Sequence, residues 1–152
     1  MKKICFIASS GGHLEQINQL KGIMDIYNYF YVTEKTKATI QIKEKKYFII
    51  DNPRKNIFVF IIRMIILIFQ SLKIFLNEKP DIIISTGANI TIPMCFIAKV
   101  FRKKVVFIES FAKIDKPSKT GKILYKIADL FIIQWKALEK YYPNAVYGGW
   151  IY

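Results

Sequence analysis

The sequence predicts an α/β fold in which one parallel sheet carries helices on both faces. Short runs rich in β-branched residues alternate with longer helical segments, and several of these runs are apolar throughout. Residues 82–84 and 105–108 are examples, and uninterrupted apolar runs are typical of strands covered on both faces. Strands that alternate with helices form a doubly wound sheet with right-handed crossovers. The 152 residues are long enough for one domain, 1–152, with its own core.

Strands and helices are predicted in strict alternation after the first two strands. Prolines fall at the boundaries of these elements, where the missing N–H is tolerated. The predicted strands are Lys3–Ala8, Tyr29–Thr33, Tyr47–Asp51, Asp81–Ser85, Val105–Glu109 and Leu130–Gln134. The predicted helices are Leu14–Met24, Ile57–Leu76, Ile92–Phe101, Lys119–Ala128 and Lys136–Tyr141.

The loop Ser9–His13 directly follows the first predicted strand and precedes a predicted helix. Ligands of open α/β sheets bind beyond the carboxyl ends of strands, and amides at a helix N-terminus favour anions. Gly11 and Gly12 would let a ligand approach the backbone, and His13 could donate or accept a proton near neutral pH. A tight strand–helix turn with a capping histidine is the alternative. The loop lacks the spacing of a dinucleotide fingerprint and of a phosphate-binding P-loop.

Three further segments place polar residues at the same predicted sheet edge. Ser85–Asn89 follows the fourth strand, Glu109-Ser110 ends the fifth, and the loop Lys113–Lys122 is rich in Lys, Ser and Thr. A plain β–α turn, an exposed strand-end acid and a solvated loop are the respective alternatives. Agreement among several loops at one edge favours a binding site there. The candidate residues are Thr86, Gly87, Asn89, Glu109 and Ser110.

The net charge of +13 predicts either an anionic partner or a solvated basic surface. Two basic clusters adjoin apolar segments, which favours a membrane surface over nucleic acid. Neither zinc-ligand spacing nor an RNA-binding signature is present, so neither a metal nor a nucleic-acid partner is expected. Cys5 and Cys95 lie in apolar runs and predict buried free thiols in a cytoplasmic protein. The clusters are Lys43, Lys45, Lys46, Arg54 and Lys55, and then Arg102, Lys103 and Lys104.

The predicted helix 57–76 is the most hydrophobic part of the chain, with Arg63, Gln70 and Lys73 as its only strongly polar members. These three fall within about a quarter of the helix circumference, so the apolar arc is wider than a sheet-facing stripe requires. A transmembrane span would place two charges near the bilayer centre, and an entirely buried helix is the other alternative. We favour a helix that packs on the sheet by one face and enters a membrane by another. The predicted membrane residues are Ile57, Phe58, Phe60, Ile61, Met64, Ile65, Ile68 and Phe69.

Six motifs in one order resemble those of a known family. The family consists of bacterial polysaccharide-biosynthesis proteins that act as the accessory subunit of a split glycosyltransferase. It is similar to the membrane-anchoring subunit of the eukaryotic two-subunit UDP-N-acetylglucosamine transferase of N-glycan assembly. The motifs are Ser9–Leu14, Ser85–Asn89 followed by Pro93, Ile108–Phe111, Lys116–Lys122, Ala128–Trp135 and Tyr147–Gly149.

This resemblance implies a Rossmann-like domain equivalent to the N-terminal, acceptor-binding half of a GT-B glycosyltransferase. It implies a donor-binding partner subunit that holds the UDP-sugar, so no cofactor is expected in this chain. The acceptor would be a lipid-diphosphate-linked saccharide of capsular or exopolysaccharide assembly, at the cytoplasmic face of the cell membrane. His13 and Glu109 would be catalytic residues. The alternative role for His13 is to bind the acceptor without taking part in the chemistry. Acceptor-binding residues would be Ser10, Gly11, Gly12, Thr86, Gly87, Asn89 and Ser110, and partner-interface residues Gly148, Gly149 and Trp150.

Two other hypotheses stay open at this point. One is a self-sufficient nucleotide-binding enzyme on a Rossmann-like fold, although Glu34 is the only acid near the end of the second predicted strand. The other is a non-catalytic membrane adaptor that only recruits a transferase.

Overall fold

The computed structural model of the protein describes residues 1–53 and 56–151. Arg54, Lys55 and Tyr152 lie outside the described residues, so the basic cluster predicted around residue 54 is only partly covered. The strands are β1 (Lys3–Ala8), β2 (Asn28–Glu34), β3 (Lys46–Ile49), β4 (Ile82–Gly87), β5 (Lys104–Ile108), β6 (Leu130–Ile133) and β7 (Val146–Tyr147). The helices are α1 (Gly12–Asn18), α2 (Lys21–Met24), α3 (Lys37–Ile40), α4 (Ile57–Glu78), α5 (Ile92–Val100) and α6 (Lys119–Leu124).

The strands form one sheet in the order β3-β2-β1-β4-β5-β6-β7, and every neighbouring pair is parallel. The strand order reverses between β1 and β4, because the chain moves outward in one direction from β1 to β3 and in the other from β4 to β7. Doubly wound sheets bind their ligands at this switch point, beyond the carboxyl ends of the two central strands. The predicted fold class is confirmed.

Apolar side chains are buried on both faces of the sheet. On one face, Leu14 and Ile17 of α1 pack with Phe6 of β1. On the other face, helices α4, α5 and α6 pack against alternate residues of the strands. Leu67 of α4 and Leu124 of α6 belong to this cluster. Burial on two faces explains why the central strands are apolar along their length.

The helix predicted at 14–24 is two short helices, α1 and α2, separated at Gln19 and Leu20. The structure adds α3 and β7, which the sequence reasoning missed, and the predicted helix 136–141 is only a 3-10 turn at 136–138. Helix α6 ends at Leu124, several residues before the predicted end. These elements are too short to establish a clear hydrophobic period, and tertiary contacts decide their conformation.

Helix α4 is partly buried and partly exposed, as the preferred prediction requires. It is long and apolar enough to cross a membrane by length and composition. However, Leu67, Ile74 and Phe75 are buried in the core, while Phe58 and Phe69 are 74% and 66% exposed. The alternative of an entirely buried helix is therefore wrong. One face of α4 packs on the sheet, and the opposite face is exposed.

Most of the predicted membrane residues lie on the exposed side of α4. Phe60 and Met64 are the exceptions. Both are half-buried and lie on the side of α4 towards α5, not on its outer face. The exposed apolar surface is also wider than predicted, since it includes Ile62 and Leu76 of α4 and continues onto α5. Of the predicted membrane residues, those that are exposed are Ile57, Phe58, Ile61, Ile65, Ile68 and Phe69. On α5 the exposed residues are Phe96 and Val100, with Phe101 directly after the helix.

The polar stripe of α4 anchors the helix to the sheet edge. Gln70 Oε1 accepts a hydrogen bond from Ile50 N at 3.1 Å, and Arg63 forms an ion pair with Asp51. The side chain of Asn56 accepts hydrogen bonds from the first turn of the helix. Polar residues on this otherwise apolar helix thus mark the edge that contacts the segment around β3.

Glu78 fixes the other end of α4. Its buried carboxylate forms ion pairs with Lys3 at 3.1 Å and Lys45 at 2.7 Å, and it accepts a hydrogen bond from the Tyr47 hydroxyl. Burial alone would raise the pKa of Glu78, but the hydrogen bonds from Lys45, Tyr47 and Lys3 outweigh it and lower that pKa to about 2. The carboxylate is therefore ionised at neutral pH and joins α4 to β1 and β3.

Several clustered lysines are similarly engaged within the protein. Lys103 pairs with Asp81 at 2.8 Å, and Lys104 pairs with Asp129 at 3.1 Å. These lysines precede or begin β5, so they lie at the amino edge of the sheet, away from the carboxyl ends. The clusters therefore contribute internal ion pairs as well as surface charge.

Candidate functional site

His13 and Thr86 form a reciprocal pair at the switch point of the sheet. His13 Nδ1 lies 2.8 Å from the Thr86 carbonyl oxygen, and Thr86 Oγ1 donates to the His13 carbonyl oxygen at 2.6 Å. His13 is the second residue of α1, and Thr86 is the penultimate residue of β4. The two hydrogen bonds join the helix after β1 to the adjacent strand, so the predicted residues His13 and Thr86 do meet.

The Thr86 carbonyl determines the tautomer of His13. A carbonyl oxygen only accepts, so Nδ1 carries the proton and Nε2 of the neutral ring keeps the lone pair. Burial lowers the pKa of His13, and the Thr86 hydrogen bond and the charges of Glu109 and Glu34 oppose this only in part. The nearby Lys113 ammonium lowers that pKa further. The ring is therefore neutral at pH 7, and Nε2 is able to accept a proton.

The glycines on either side of His13 have different roles. A methyl group added at Gly87, where φ is 124°, would lie 2.9 Å from His13 Cε1, so this glycine makes room for the ring. Methyl groups added at Gly11 or Gly12 would meet no atom within 4 Å. The backbone of the loop therefore faces open space, where a ligand can approach closely.

Ser10 is tethered to the next strand. Its N–H and its hydroxyl both donate to Glu34 Oε2, at 3.1 and 3.0 Å. Glu34 is the acid that a nucleotide-binding enzyme would use to hold a ribose at the end of β2. Here Glu34 Oε2 holds the loop in place instead. The direct hydrogen-bond partner of Ser10, a predicted acceptor-binding residue, is therefore Glu34.

Glu109 is fully buried, and its carboxylate is surrounded by donors. Oε1 accepts from Ser110 N at 2.9 Å, and Oε2 accepts from Ser118 N at 3.1 Å and the Tyr142 hydroxyl at 2.8 Å. Gly121 packs against this oxygen so closely that an added methyl group would overlap it. The residue predicted as catalytic therefore faces the α6 N-terminus and not open space. Its structural role is to position the loop between β5 and α6.

Two buried glutamines, which the sequence reasoning missed, connect α1 to the far side of the sheet. Gln16 Oε1 accepts from Phe111 N at 2.9 Å and from Gln134 Nε2 at 2.7 Å, and Gln16 Nε2 donates to the Gly12 carbonyl at 3.2 Å. Gln134 Oε1 accepts from Ile151 N at 3.1 Å. For Gln134 the signal in the sequence was a polar residue directly after an apolar strand, the same signal that selected Glu109. Gln16 lies within α1 and carries no such signal.

The predicted partner-interface residues follow β7 at the same edge of the sheet. Gly148 N donates to the Ile133 carbonyl at 3.0 Å, which continues the pairing of β7 with β6. Trp150 is 61% exposed and packs against Phe111 and Trp135, with ring centroids 5.8 and 5.1 Å away. Phe111 and Trp135 are half-buried, so the cluster presents Trp150 to solvent. An aromatic cluster with an exposed tryptophan is typical of a surface that contacts another protein.

Asn89 and Ser110 lie in neighbouring segments rather than at the histidine. Asn89 Nδ2 donates to the Asn52 carbonyl at 2.8 Å, beside the N-terminus of α4. Ser110 is buried and holds the turn before Lys113 through its carbonyl oxygen. Within residues 1–53 and 56–151, no group of three or more His, Cys, Asp or Glu residues is arranged to hold a metal ion.

The sequence matches the family described as "Oligosaccharide biosynthesis protein Alg14 like" over residues 4–151. The human UDP-N-acetylglucosamine transferase subunit ALG14 is 39% identical over 77 residues, which are 47% of this chain and 36% of that protein. The subunit of the same name from Debaryomyces hansenii is 24% identical over 173 aligned positions, covering 96% of this chain and 75% of the relative. The matched segment spans about two fifths or less of the first curated relatives.

Solved structures of low sequence identity have the same fold. MurG from Acinetobacter baumannii has a TM-score of 0.74 at 14% identity, over 90% of this chain and 43% of that chain. A UDP-N-acetylglucosamine 2-epimerase from Rickettsia bellii has a TM-score of 0.70 at 14% identity, over 94% of this chain and 41% of that chain. The fold is thus Rossmann-like and equivalent to one half of the GT-B fold. With the family match over residues 4–151, the chain belongs to the Alg14-like oligosaccharide biosynthesis proteins.

Proposed function

We propose that this chain is the acceptor-binding, membrane-recruiting subunit of a two-protein glycosyltransferase. The partner subunit holds a UDP-sugar, and the pair transfers the sugar to a lipid-diphosphate-linked saccharide. We assign the reaction to bacterial capsular or exopolysaccharide assembly, at the cytoplasmic face of the cell membrane. No cofactor or metal is assigned to this chain.

The observation that carries the proposal is the continuous family match over residues 4–151. Curated relatives in that family are named as subunits of a UDP-N-acetylglucosamine transferase. The arrangement of the site supports the same function, because the loop before His13 is open on one side and the aromatic cluster of Phe111, Trp135 and Trp150 lies at the same edge. A second protein docked on that edge would complete the site.

The reaction assigned to His13 is removal of a proton from the acceptor hydroxyl. As the C1–O bond to UDP breaks, the acceptor oxygen bonds to C1 and its proton passes to Nε2 of His13. Thr86 holds Nδ1, so the ring keeps the tautomer that can accept this proton. The departing UDP stays on the partner subunit, whose dipoles would stabilise the developing charge. Glu109 contributes by holding the β5–α6 loop.

Membrane recruitment is assigned to the exposed side of α4 and to α5. A contiguous exposed apolar surface of this kind marks a contact with a membrane or a protein. Phe58→Ser with Phe69→Ser removes two of its most exposed rings. These changes should lower co-sedimentation with vesicles of mixed neutral and anionic lipids at least fivefold. Tyr147→Ser, at an exposed aromatic residue of the edge strand β7 and away from the α4–α5 surface, is the matched control.

The test of the whole proposal is reconstitution with a candidate donor-binding subunit. Transfer from radiolabelled UDP-sugar to a lipid-diphosphate saccharide is expected only with both proteins, and His13→Gln should reduce it at least 100-fold. Full activity of the single chain would instead support the self-sufficient enzyme. Unchanged activity of the His13→Gln pair would support the pure adaptor.

A further inference from the structure

Lys113 is a cation at the carboxyl edge of the sheet, close to the candidate site. It is the fourth residue of a turn that begins at Ser110, because Lys113 N donates to the Ser110 carbonyl oxygen at 2.9 Å. The Cα atoms at the two ends of such a turn are less than about 7 Å apart. Lys113 therefore lies just beyond the end of β5, whose neighbour β4 carries the residue that holds His13.

Buried side chains fix the main chain that carries this lysine. Glu109 Oε1 accepts a hydrogen bond from Ser110 N at 2.9 Å. Trp135 Nε1 donates to the Phe111 carbonyl oxygen at 2.7 Å. The first two residues of the turn are thus held from opposite sides, and the position at which the Lys113 side chain begins is determined by the fold.

The same turn is joined to the loop before His13. Gln16 Oε1 accepts from Phe111 N at 2.9 Å, and Gln16 Nε2 donates to the Gly12 carbonyl oxygen at 3.2 Å. One carboxamide therefore separates the main chain at Phe111 from the main chain at Gly12. Lys113 follows two residues later, at most about 7 Å further along the chain, and its long stem can carry the ammonium to the open side of that loop. The effect of the Lys113 charge on the pKa of His13 agrees with this placement.

The Lys113 ammonium has no counter-charge within the described protein. Lys113 is exposed and forms no ion pair with any residue in 1–53 and 56–151, including Asp115 of the same loop. The two acids that act on His13 are engaged elsewhere, since Glu109 accepts from its own loop and Glu34 accepts from Ser10. A fixed turn thus presents an unpaired ammonium beside a loop whose backbone faces open space. This arrangement suits an anionic ligand.

We propose that Lys113 binds a diphosphate that lies along the open side of the Gly11–Gly12 loop, with the adjoining sugar beside Nε2 of His13. The choice of ligand rests on the proposed function, in which both the acceptor and the UDP-sugar carry a diphosphate. Lysine binds phosphate as a point charge and imposes no fixed orientation on it. The buried carboxylate of Glu109 then has a definite role at the site, because it holds the turn that carries this lysine.

His13 is the only histidine in the sequence, so its NMR signal reports on this ligand directly. The full chain with ¹³C-labelled histidine is titrated with acid in a neutral detergent at constant ionic strength, and the Cε1–H signal gives the pKa of His13. A bound diphosphate adds negative charge near the ring and offsets that of Lys113, while the internal hydrogen bonds of Glu34 and Glu109 stay the same. Saturating inorganic pyrophosphate should therefore raise the pKa of His13 by at least about 0.5.

Matched variants separate this lysine from the general basic charge of the protein. Lys113→Gln should weaken pyrophosphate binding at least tenfold, and Lys113→Arg should keep it within threefold of wild type. Lys116→Gln removes the same charge from an exposed position three residues along the same loop and should bind as wild type. The midpoint of urea unfolding should be unchanged in all three variants. Equal effects of Lys113→Gln and Lys116→Gln, or a His13 signal that does not respond to pyrophosphate, would overturn the proposal.

Geranyl diphosphate and UDP distinguish the two sources of the diphosphate. Tighter binding of geranyl diphosphate, which is the expected result, assigns the subsite to the acceptor lipid. Tighter binding of UDP assigns it to the sugar donor. Either result supports a diphosphate subsite if the preferred ligand loses at least tenfold in affinity with Lys113→Gln, and neither supports it if that affinity is unchanged.

The outcome is separable from that of the proposed function, because the NMR titration requires neither a partner nor sugar transfer. A response that depends on Lys113, without transfer by the reconstituted pair, would refute only the glycosyltransferase assignment. Transfer in which Lys113→Gln changes the KM of neither substrate would refute only the subsite. Where both succeed, Lys113→Gln should raise the KM of the substrate that it binds at least tenfold and change kcat less than threefold, since the diphosphate is held equally in the ground and transition states.

Discussion

Glu109→Gln tests whether the buried carboxylate of Glu109 positions the site or acts on substrate. In the protein, this carboxylate accepts hydrogen bonds from two backbone N–H groups, of Ser110 and Ser118, and from the Tyr142 hydroxyl. A glutamine has one acceptor oxygen, so its NH₂ group must face at least one of these donors. Burial and the nearby Glu109 carboxylate raise the pKa of Tyr142, which therefore stays a donor throughout.

The expected loss of stability follows from these contacts. A hydrogen bond to a charged group contributes about 1.5–3 kcal/mol, and a buried donor left unpaired costs about 1–3 kcal/mol. With one N–H unpaired and the other bonds weakened, Glu109→Gln should lower the free energy of unfolding by about 2–4 kcal/mol. Tyr142→Phe is the matched control, because it removes one donor and keeps both backbone contacts. Its expected loss is about 1.5 kcal/mol, the lower end of that range, because both backbone N–H groups still satisfy the carboxylate.

Urea unfolding in mild detergent, followed by tryptophan fluorescence, measures both values. Trp135 and Trp150 report on the edge of the sheet that Glu109 supports, because Phe111 packs against both rings. Sugar transfer by the reconstituted pair is measured in parallel, and it should decline in step with stability. A Glu109→Gln protein as stable as wild type that loses transfer 100-fold or more would refute the positioning role.

Three further predictions concern the histidine, its glycines and the helix anchor. Because burial lowers the pKa of His13 below its ordinary value of about 6.5, the acid limb of kcat/KM should lie below pH 6.5 and be absent from the His13→Gln profile. Gly87→Ala should displace the imidazole of His13 and reduce sugar transfer at least tenfold. Gly12→Ala should change the free energy of unfolding by no more than about 0.5 kcal/mol. Its only effect should be weaker acceptor binding, which a competition assay measures. Glu78→Gln should cost about 2 kcal/mol at pH 7 in urea unfolding. Since the pKa of Glu78 is about 2 in the folded protein, that stabilisation is present above pH 4.5, and the difference should disappear as the pH falls from 4.5 towards 2.

The central strands were predictable because their chemistry is repetitive. The strand predicted at Lys3–Ala8 has its predicted bounds, and the five others are displaced by only a few residues. A strand covered on both faces leaves an apolar run that no polar residue interrupts. The short strand β7 has only two exposed residues, so its sequence contains no such run.

The sequence predicted which residues lie at the ends of the central strands, but not the directions in which their side chains point. Glycine and hydroxyl residues after β1 and at the end of β4 indicated the edge where His13 lies beside Thr86 and Gly87. The direction of a side chain at a strand end depends on the neighbouring loops, and this information is absent from the local sequence. Glu109 therefore faces α6, and the pairing of Gln16 with Gln134, 118 residues apart, could not be inferred.

The glutamine pair makes His13 and the segment after β7 parts of one hydrogen-bonded unit. Ile151 donates to Gln134, Gln134 donates to Gln16, and Gln16 donates to the carbonyl of Gly12, the residue before His13. Each glutamine is buried, so breaking one link leaves an unpaired amide in the interior. A protein that docks on the cluster around Trp150 therefore contacts a segment that is linked to the histidine through four consecutive groups. If the partner subunit docks there as proposed, we expect its docking and the orientation of α1 to depend on each other energetically.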